Sequence, residues 1–286
     1  MHNLRGTLLF LTAIFLFAAS DATAKYMTAF FAIPLLLWAR YATNLLFMLA
    51  VTAPGMRREI VCTTRPWLMT GRALTQVAST LFMFLALHVL PLAESTALVF
   101  ISPVLVALFA GPLLGERLRL ANWLATVAGF AGVLLIVRPG SGIAGIGAIY
   151  PLCSALCFAL YQILTRKLAA SEPPLRQLFY LALVGTLTTS CLLPAFWPAI
   201  MPTPLQILLL LSLGFYGGAG HFLLIRAFHV SPASTLAPIF YVQLIWAMLL
   251  GWIVFGQFPD FVAIVGMLVI GASGLSLIMH RPRLQA

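Results

Sequence analysis

Ten times along this chain an apolar run about as long as a bilayer is thick is followed by a short polar interruption. A hydrocarbon core of about 30 Å takes roughly 20 residues of helix to cross. The runs place spans at 7–25, 32–52, 68–89, 92–113, 121–138, 145–166, 176–196, 205–228, 233–254 and 261–279. Inside lipid the backbone must satisfy its own hydrogen bonds, so these spans are expected to be helices. The alternation of an outer-membrane barrel is absent. Composition agrees: 62% of residues are hydrophobic and only 8% are charged, against about 25% charged in a soluble domain. The expected fold class is an all-α integral membrane protein with ten transmembrane helices. The first run, with Arg5 before it and Ala22-Thr23-Ala24 after it, has some features of a cleaved leader. It is read as a span because the repeat described below counts it as one.

The net charge is +10, and topology accounts for it. With a cytoplasmic N-terminus, twelve basic residues fall at inner helix ends, from Arg5, Arg57, Arg58 and Arg65 through Arg117, Arg119, Arg166, Lys167, Arg176 and Arg226 to Arg281 and Arg283. Only Lys25 and Arg138 fall at outer ends. The positive-inside rule then puts both termini in the cytoplasm and the protein in the cytoplasmic (inner) membrane. Trp67, Trp123 and Trp197 sit near span ends, as interfacial anchors do. No basic stripe with interleaved aromatics suggests nucleic acid. The loops are too short to hold a nucleotide-binding domain. The four cysteines, Cys62, Cys153, Cys157 and Cys191, form no disulfide framework and no zinc pattern, and Cys153 and Cys157 are read as packing.

The two halves resemble each other at an offset of 141 residues. Ala86-Leu87-His88-Val89-Leu90-Pro91 matches Ala227-Phe228-His229-Val230-Ser231-Pro232. Lys25 matches Arg166, Asp21 matches Gln162, and Gly115-Glu116 matches Gly256-Gln257. With a slip of one residue, Gly129 and Gly132 match Gly271 and Gly274. The halves are therefore taken as 1–141 and 142–286. Five spans per half is an odd number, so the second half is expected to cross in the opposite sense. Inverted repeats of this kind are characteristic of carriers that work by alternating access.

The stretch Pro91-Leu92-Ala93-Glu94-Ser95-Thr96-Ala97-Leu98, then Ser102-Pro103, Leu114-Gly115-Glu116-Arg117-Leu118, Trp123, Gly129-Phe130-Ala131-Gly132-Val133 and Arg138-Pro139 resembles the EamA-type family of the drug/metabolite transporter superfamily. The second half is degenerate, with Gln257 and Phe258 where the family pattern often has Glu-Arg. The resemblance implies two inverted five-helix halves, with helices 1–4 and 6–9 around a central cavity and helices 5 and 10 outside it. It also implies small organic substrates, such as amino acids, amines, nucleoside-derived metabolites or vitamins, often exported. The Pro-Leu-Ala-acidic stretch further resembles members that carry S-adenosylmethionine or riboflavin.

Ionisable groups inside spans cost on the order of 3 kcal/mol unless paired or hydrated, so each is a candidate for the transport path. Asp21 and Glu94 lie near outer helix ends. Arg40 and Asn44 share a helix face, as do Arg72 and Gln76 nearer the inner side. Arg40 is better placed than Arg72 to meet Asp21 or Glu94, and such an acid is expected to exchange a proton for substrate. Asp21 also reads as an interfacial partner of Lys25, and Glu94 as a helix-start carboxylate. In the second half Tyr161, Gln162, His221, Tyr241, Gln243 and Trp246 are the candidates, their rings able to stack a planar substrate or hold a cation. Glu116, between basic residues, is read as a loop-fixing ion pair. Gly111 with Gly115, and Gly214 with Gly218, have the spacing for close helix approach, and Pro103, Pro151 and Pro238 are expected to kink spans.

Gly140-Ser141-Gly142-Ile143-Ala144-Gly145 fits the dinucleotide fingerprint in letters only, since no strand precedes it. It is read as the link between halves. No phosphate-binding loop, metal-ligand set or cofactor motif is present, and no clustered catalytic set suggests an enzyme. The expected function is a secondary transporter of small organic metabolites. A passive channel or a non-transporting membrane protein is the alternative. The expected partners are the bilayer and a small-molecule substrate.

Overall fold

In the computed structural model the described residues are 2–52, 60–102, 104–106, 108–109, 120–137, 147–168, 171–198, 201–230 and 241–279. They form ten α-helices and no strand. The helices are α1 His2–Met27, α2 Ile33–Thr52, α3 Pro66–Val89, α4 Leu92–Val99, α5 Leu120–Val137, α6 Ile149–Leu168, α7 Pro174–Leu192, α8 Pro204–Val230, α9 Val242–Phe255 and α10 Phe261–Met279. Each falls within or around one expected span. Five of them are long and apolar enough to cross a membrane by length and composition, and five apolar helices are shorter. Three of the shorter ones, α5, α6 and α10, adjoin residues outside the described set. Pro103, Pro238, Glu116, Gly111, Gly115 and the 140–145 link also lie outside it.

The element ends follow local chemistry. Proline opens α3, α7 and α8, where its missing N–H has no intrahelical acceptor to lose and its φ is already helical. Gly256 closes α9 in the left-handed region at φ 66°, its N–H bonded to Trp252 O at 2.8 Å. A side chain there would be strained. The described part of α4 is short. It ends in a turn at Phe100–Ile101, just ahead of Pro103, which cannot donate to the Val99 carbonyl. Pro151, expected to kink its span, lies in the first turn of α6, where proline is tolerated.

Most of the extensive helix pairs join the two halves. α1 packs on α8 and α3 on α6; α2 packs on α7 and α8, and α3 also on α7; α4 packs on α9, and α5 on α10. One apolar core gathers Met27, Leu36, Tyr41, Phe84, Leu181 and Leu213 from α1, α2, α3, α7 and α8. A second gathers Leu98, Val104, Val133, Met267 and Ile270 around α4, α5 and α10. Outward, Leu124, Val127, Phe130 and Leu134 on α5 and Phe261 and Leu268 on α10 are exposed. Lipid is the solvent that accepts such a surface. Trp67 and Trp197, expected as interfacial anchors, are exposed beside helix ends.

Glycines set the closest approaches. A Cβ on Gly214 would come within 2.6 Å of the Arg40 carbonyl and the Asn44 nitrogen, and one on Gly218 within 2.9 Å of Asn44 and Phe47. The Gly214/Gly218 spacing thus seats α8 against the backbone of α2. Gly132 and Gly266 do the same for α5 and α10, each facing the other's carbonyl. Overpacking of this kind costs about 1–3 kcal/mol. Gly214→Ala is expected to lower the thermal unfolding midpoint of the detergent-solubilised protein clearly. Gly71→Ala meets nothing within 4 Å and gains helix propensity, so its midpoint should hold or rise. Equal midpoints for the two variants would contradict this packing account.

Candidate functional site

Three pairs of residues spaced i, i+4 converge on one small cavity beside the first core. Arg40 and Asn44 come from α2, Gln76 and Thr80 from α3, and Gly217 and His221 from α8. At this spacing two side chains share one helix face. Tyr41 and Leu181 complete the wall. The space enclosed is about 10 Å³, room for roughly one water. A space of that size does not hold a metabolite.

The lining groups are unequally satisfied. The Tyr41 hydroxyl meets Thr80 Oγ1 at 2.9 Å. Arg40 Nη1 donates to Ser20 Oγ at 2.6 Å, and its guanidinium lies 5.9 Å from the Phe84 ring centre. His221 packs on Phe17, ring centres 4.9 Å apart. The side-chain oxygens of Asn44 and Gln76 are buried and have no hydrogen-bond partner. A buried polar atom left unsatisfied costs about 1–3 kcal/mol, and few are tolerated in native interiors.

Polar clusters lie toward the two ends of α3. At one, Lys25 Nζ donates to the carbonyls of Leu87 (2.9 Å) and Leu90 (2.6 Å) at the C-terminus of α3. It lies 5.5 Å from the Phe255 ring centre and is attracted by Glu94. At the other end Arg72 is 2% exposed. It donates from Nε to Thr165 Oγ1 (2.7 Å), from Nη1 to Gln177 O (3.0 Å) and from Nη2 to the Tyr161 hydroxyl (2.8 Å), tying α3 to α6 and α7. Gln177 Nε2 in turn donates to Glu172 O at 3.0 Å. The Glu172 carboxylate accepts from Thr63 and Arg176.

The sequence pattern of the EamA-like transporter family matches this chain twice, at residues 4–138 and 145–279. The chain belongs to the EamA-like transporter family. It is 27% identical over 262 residues to a riboflavin transporter of Vibrio cholerae, covering 90% of this chain and 87% of that one. An S-adenosylmethionine uptake transporter of Rickettsia prowazekii is 25% identical, covering 96% and 92%. A pseudopaline exporter of Pseudomonas aeruginosa is 28% identical, covering 95% of each chain. A crystal structure 20% identical in sequence superposes with a TM-score of 0.67 over 98% of this chain and 99% of that one, a likeness of fold. The family is one of multi-pass membrane transporters.

Of the residues singled out in this transporter's sequence, Arg40, Asn44, Gln76 and His221 meet at the central cavity. Asp21 acts on Arg40 electrostatically. Arg72 and Tyr161 belong to the far cluster and Glu94 to the Lys25 cluster, so the two acids face different cations. Lys25 reaches the end of α3. Gln162 is half-buried on α6 and Gln243 is buried on α9, neither among the residues lining the cavity. The Tyr241 hydroxyl and Trp246 Nε1 are buried without partners, their rings against Phe100 and Phe15. Sequence reasoning passed over Ser20, Tyr41, Thr80, Gly217 and Glu172. Thr80 had a signal, one turn beyond Gln76, and Tyr41 stands next to Arg40. Glu172 lies outside the expected spans and had no such signal.

Glu172 lies in the loop between α6 and α7. Burial would raise its carboxyl. The Thr63 hydroxyl, Arg176 and the Thr64 backbone outweigh burial and hold it below its ordinary value of 4.5. A depressed carboxyl contributes stability that is present above its unfolded value and is lost as pH falls through the folded one. The thermal midpoint should therefore decline as pH drops below about 4.5, and Glu172→Gln should flatten that decline. An unchanged decline in the variant would assign it to other groups.

Proposed function

We propose that this protein is a secondary carrier of small organic metabolites that works by alternating access. In this reading two inverted halves, 1–141 and 142–286, enclose a substrate site at the α2–α3–α8 cavity. The carrying observation is that cavity: a guanidinium and two buried amide oxygens without hydrogen-bond partners line it, and polar clusters lie toward either end of α3. Polar atoms buried without partners are expected where a ligand supplies the partner. The captured state is the occluded one, with Lys25 closing one end and Arg72 the other. Breaking either cluster opens one side, and alternation between the two moves solute without a continuous pore.

Two observations support the inverted-repeat reading. The family matches begin at residues 4 and 145, an offset of 141, the offset found in the sequence. The main helix contacts also survive exchange of each helix with the one five places on: α1–α8 becomes α6–α3, α2–α8 becomes α7–α3, and α2–α7, α4–α9 and α5–α10 map onto themselves. Two equivalent halves can exchange conformations, so one asymmetric arrangement generates both access states. We place the protein in the cytoplasmic membrane with both termini inside, from the basic residues at the Arg72 end. Asp21, coupled to Arg40, and Glu94, coupled to Lys25, are the carboxyls able to exchange a proton for substrate.

The test is flux in proteoliposomes with labelled S-adenosylmethionine and riboflavin, solutes of the relatives, with and without a pH gradient. Accumulation against a gradient is expected, whereas simple equilibration would point to a channel. If protons drive transport through these acids, gradient-driven flux should fall about tenfold or more in Asp21→Asn or Glu94→Gln while counterflow exchange persists. Gradient-independent exchange in all three proteins would reject proton coupling and leave the carrier. Separately, a C-terminal fluorescent-protein fusion should fluoresce and a C-terminal alkaline phosphatase fusion should be inactive. The opposite pattern would invert the topology.

A further inference from the structure

α3 meets α6 midway along its length through two serines. Ser79 Oγ donates to Ser154 O at 3.1 Å and Ser154 Oγ donates to Ser79 O at 2.9 Å, with the two hydroxyls 3.2 Å apart. Both residues are buried. Each helix hands a hydroxyl to the backbone of the other, so the two backbones lie close at this point. A serine hydroxyl stands one carbon from the backbone and cannot follow a helix that moves away. The long side chains of Lys25 and Arg72, which tie the two ends of α3, have that reach. Ser79 stands seven residues after Arg72 and eight before Leu87, about 10 and 12 Å along the helix. The clasp is thus nearly equidistant from the two clusters. At the offset of 141 residues Ser79 matches Gly220 and Ser154 matches Ala13. That pair belongs to the α1–α8 crossing, the counterpart of α3–α6. Ala13 is fully buried, and a Cβ on Gly220 would stand 2.7 Å from a Phe17 ring carbon. The contact there is also close, yet neither residue has a side-chain donor.

We infer that the Ser79–Ser154 clasp is the fulcrum of the transport cycle. It stays made while the two ends of α3 part in turn, and the α1–α8 crossing takes up the motion by sliding. The inference rests on the carrier reading and adds a pivot to it. A rotation of about 10° about the clasp moves atoms about 10–12 Å away by about 2 Å. That displacement carries the Lys25 and Arg72 hydrogen bonds, 2.6 Å to Leu90 O and 3.0 Å to Gln177 O, out of bonding range. Atoms of the clasp itself, within about 2 Å of the axis, move by less than about 0.5 Å and keep their bonds. Parting the serines instead would orphan two buried hydroxyls where no water replaces the lost acceptors. The counterpart crossing meets through apolar surfaces and a glycine, which set a distance without fixing a register. The two crossings are equivalent in position and unequal in chemistry, so this asymmetry belongs to the sequence of this chain rather than to the fold.

The test is cross-linking of the full-length protein in proteoliposomes, with labelled S-adenosylmethionine and riboflavin as probes. Ser79→Cys with Ser154→Cys is oxidised to a disulfide in a background whose native Cys62, Cys153, Cys157 and Cys191 are replaced by alanine. Thr63→Cys with Glu172→Cys, a pair in contact at the Arg72 end, is joined by a short bis-thiosulfonate linker in the same background. Each joined form is compared with its own reduced form. A link that fits both access states equally shifts neither, so the serine-site disulfide should leave flux within about twofold. The linker at the Arg72 end should lower flux at least about tenfold, and reductant should restore it. In the native background, Ser79→Ala with Ser154→Ala should lower maximal flux several-fold with KM unchanged, and this pair decides by itself where thiol substitution silences flux. A merely structural clasp would lower the thermal midpoint and leave flux per folded protein intact, and that result overturns the inference. Flux lost on joining the serine site and recovered on reduction overturns it too, as does flux tolerant of the Arg72-end linker or failure of the serine pair to join. Absence of flux for both solutes in the native protein overturns the carrier reading and the inference with it.

Discussion

A guanidinium buried among transmembrane helices has to find its acceptors inside the protein, and Arg72 finds them on two other helices. Hydroxyl, carbonyl and phenol oxygens from α6 and α7 take its three nitrogens, and the Tyr161 ring lies 4.5 Å from its charge centre. Satisfying this cation fixes where the start of α3 stands against the end of α6 and the start of α7. Chance apolar packing has no such directional demand. The same requirement runs on through Gln177 into Glu172, Thr63 and Arg176, so a loop outside the membrane is tied to the charge within it.

The cluster at the opposite end uses less specific chemistry. Lys25 caps the C-terminal carbonyls of α3, groups that no intrahelical donor reaches and where a cation is favoured by the helix dipole. Its ammonium is one point charge with three rotatable donors, whereas Arg72 holds a fixed fork. The Lys25 contacts are therefore less directional than those of Arg72. Between them the cavity walls are brought together by glycine. Gly214 and Gly218 let α8 touch the backbone of α2, and that contact carries Gly217 and His221 to the face of Arg40. Close packing and an unfinished polar site thus come from one stretch of α8.

Family membership and fold likeness agree with this architecture while leaving the solute open. Relatives at 25–28% identity are named for riboflavin, S-adenosylmethionine and pseudopaline, and the names include both uptake and export. A shared scaffold with different cargo is expected when the helices supply alternation and a few lining side chains supply recognition. In this chain the side chains that line the central cavity are on α2, α3, α7 and α8.

The helical class, the ten elements and most of their ends were legible in the sequence. Apolar run length against bilayer thickness allows little else, and proline marks the starts of α3, α7 and α8. Arg40, Asn44, Gln76 and His221 were legible as candidates too, because polar groups in apolar runs are costly and therefore informative. What only the tertiary structure decided is how they group. The sequence could not show that Arg40 shares a cavity with His221, 181 positions away, or that Glu94 belongs with Lys25 and Tyr161 with Arg72. Nor could it show that Arg72 donates from three nitrogens and Arg40 to Ser20, since both are single arginines with an amide one turn along the same face. That difference lies in what packs opposite: two hydroxyls and a carbonyl accept from Arg72, and the Ser20 hydroxyl accepts from Arg40. Helix-to-helix register arises from packing across halves far apart in the chain, and no local pattern encodes it.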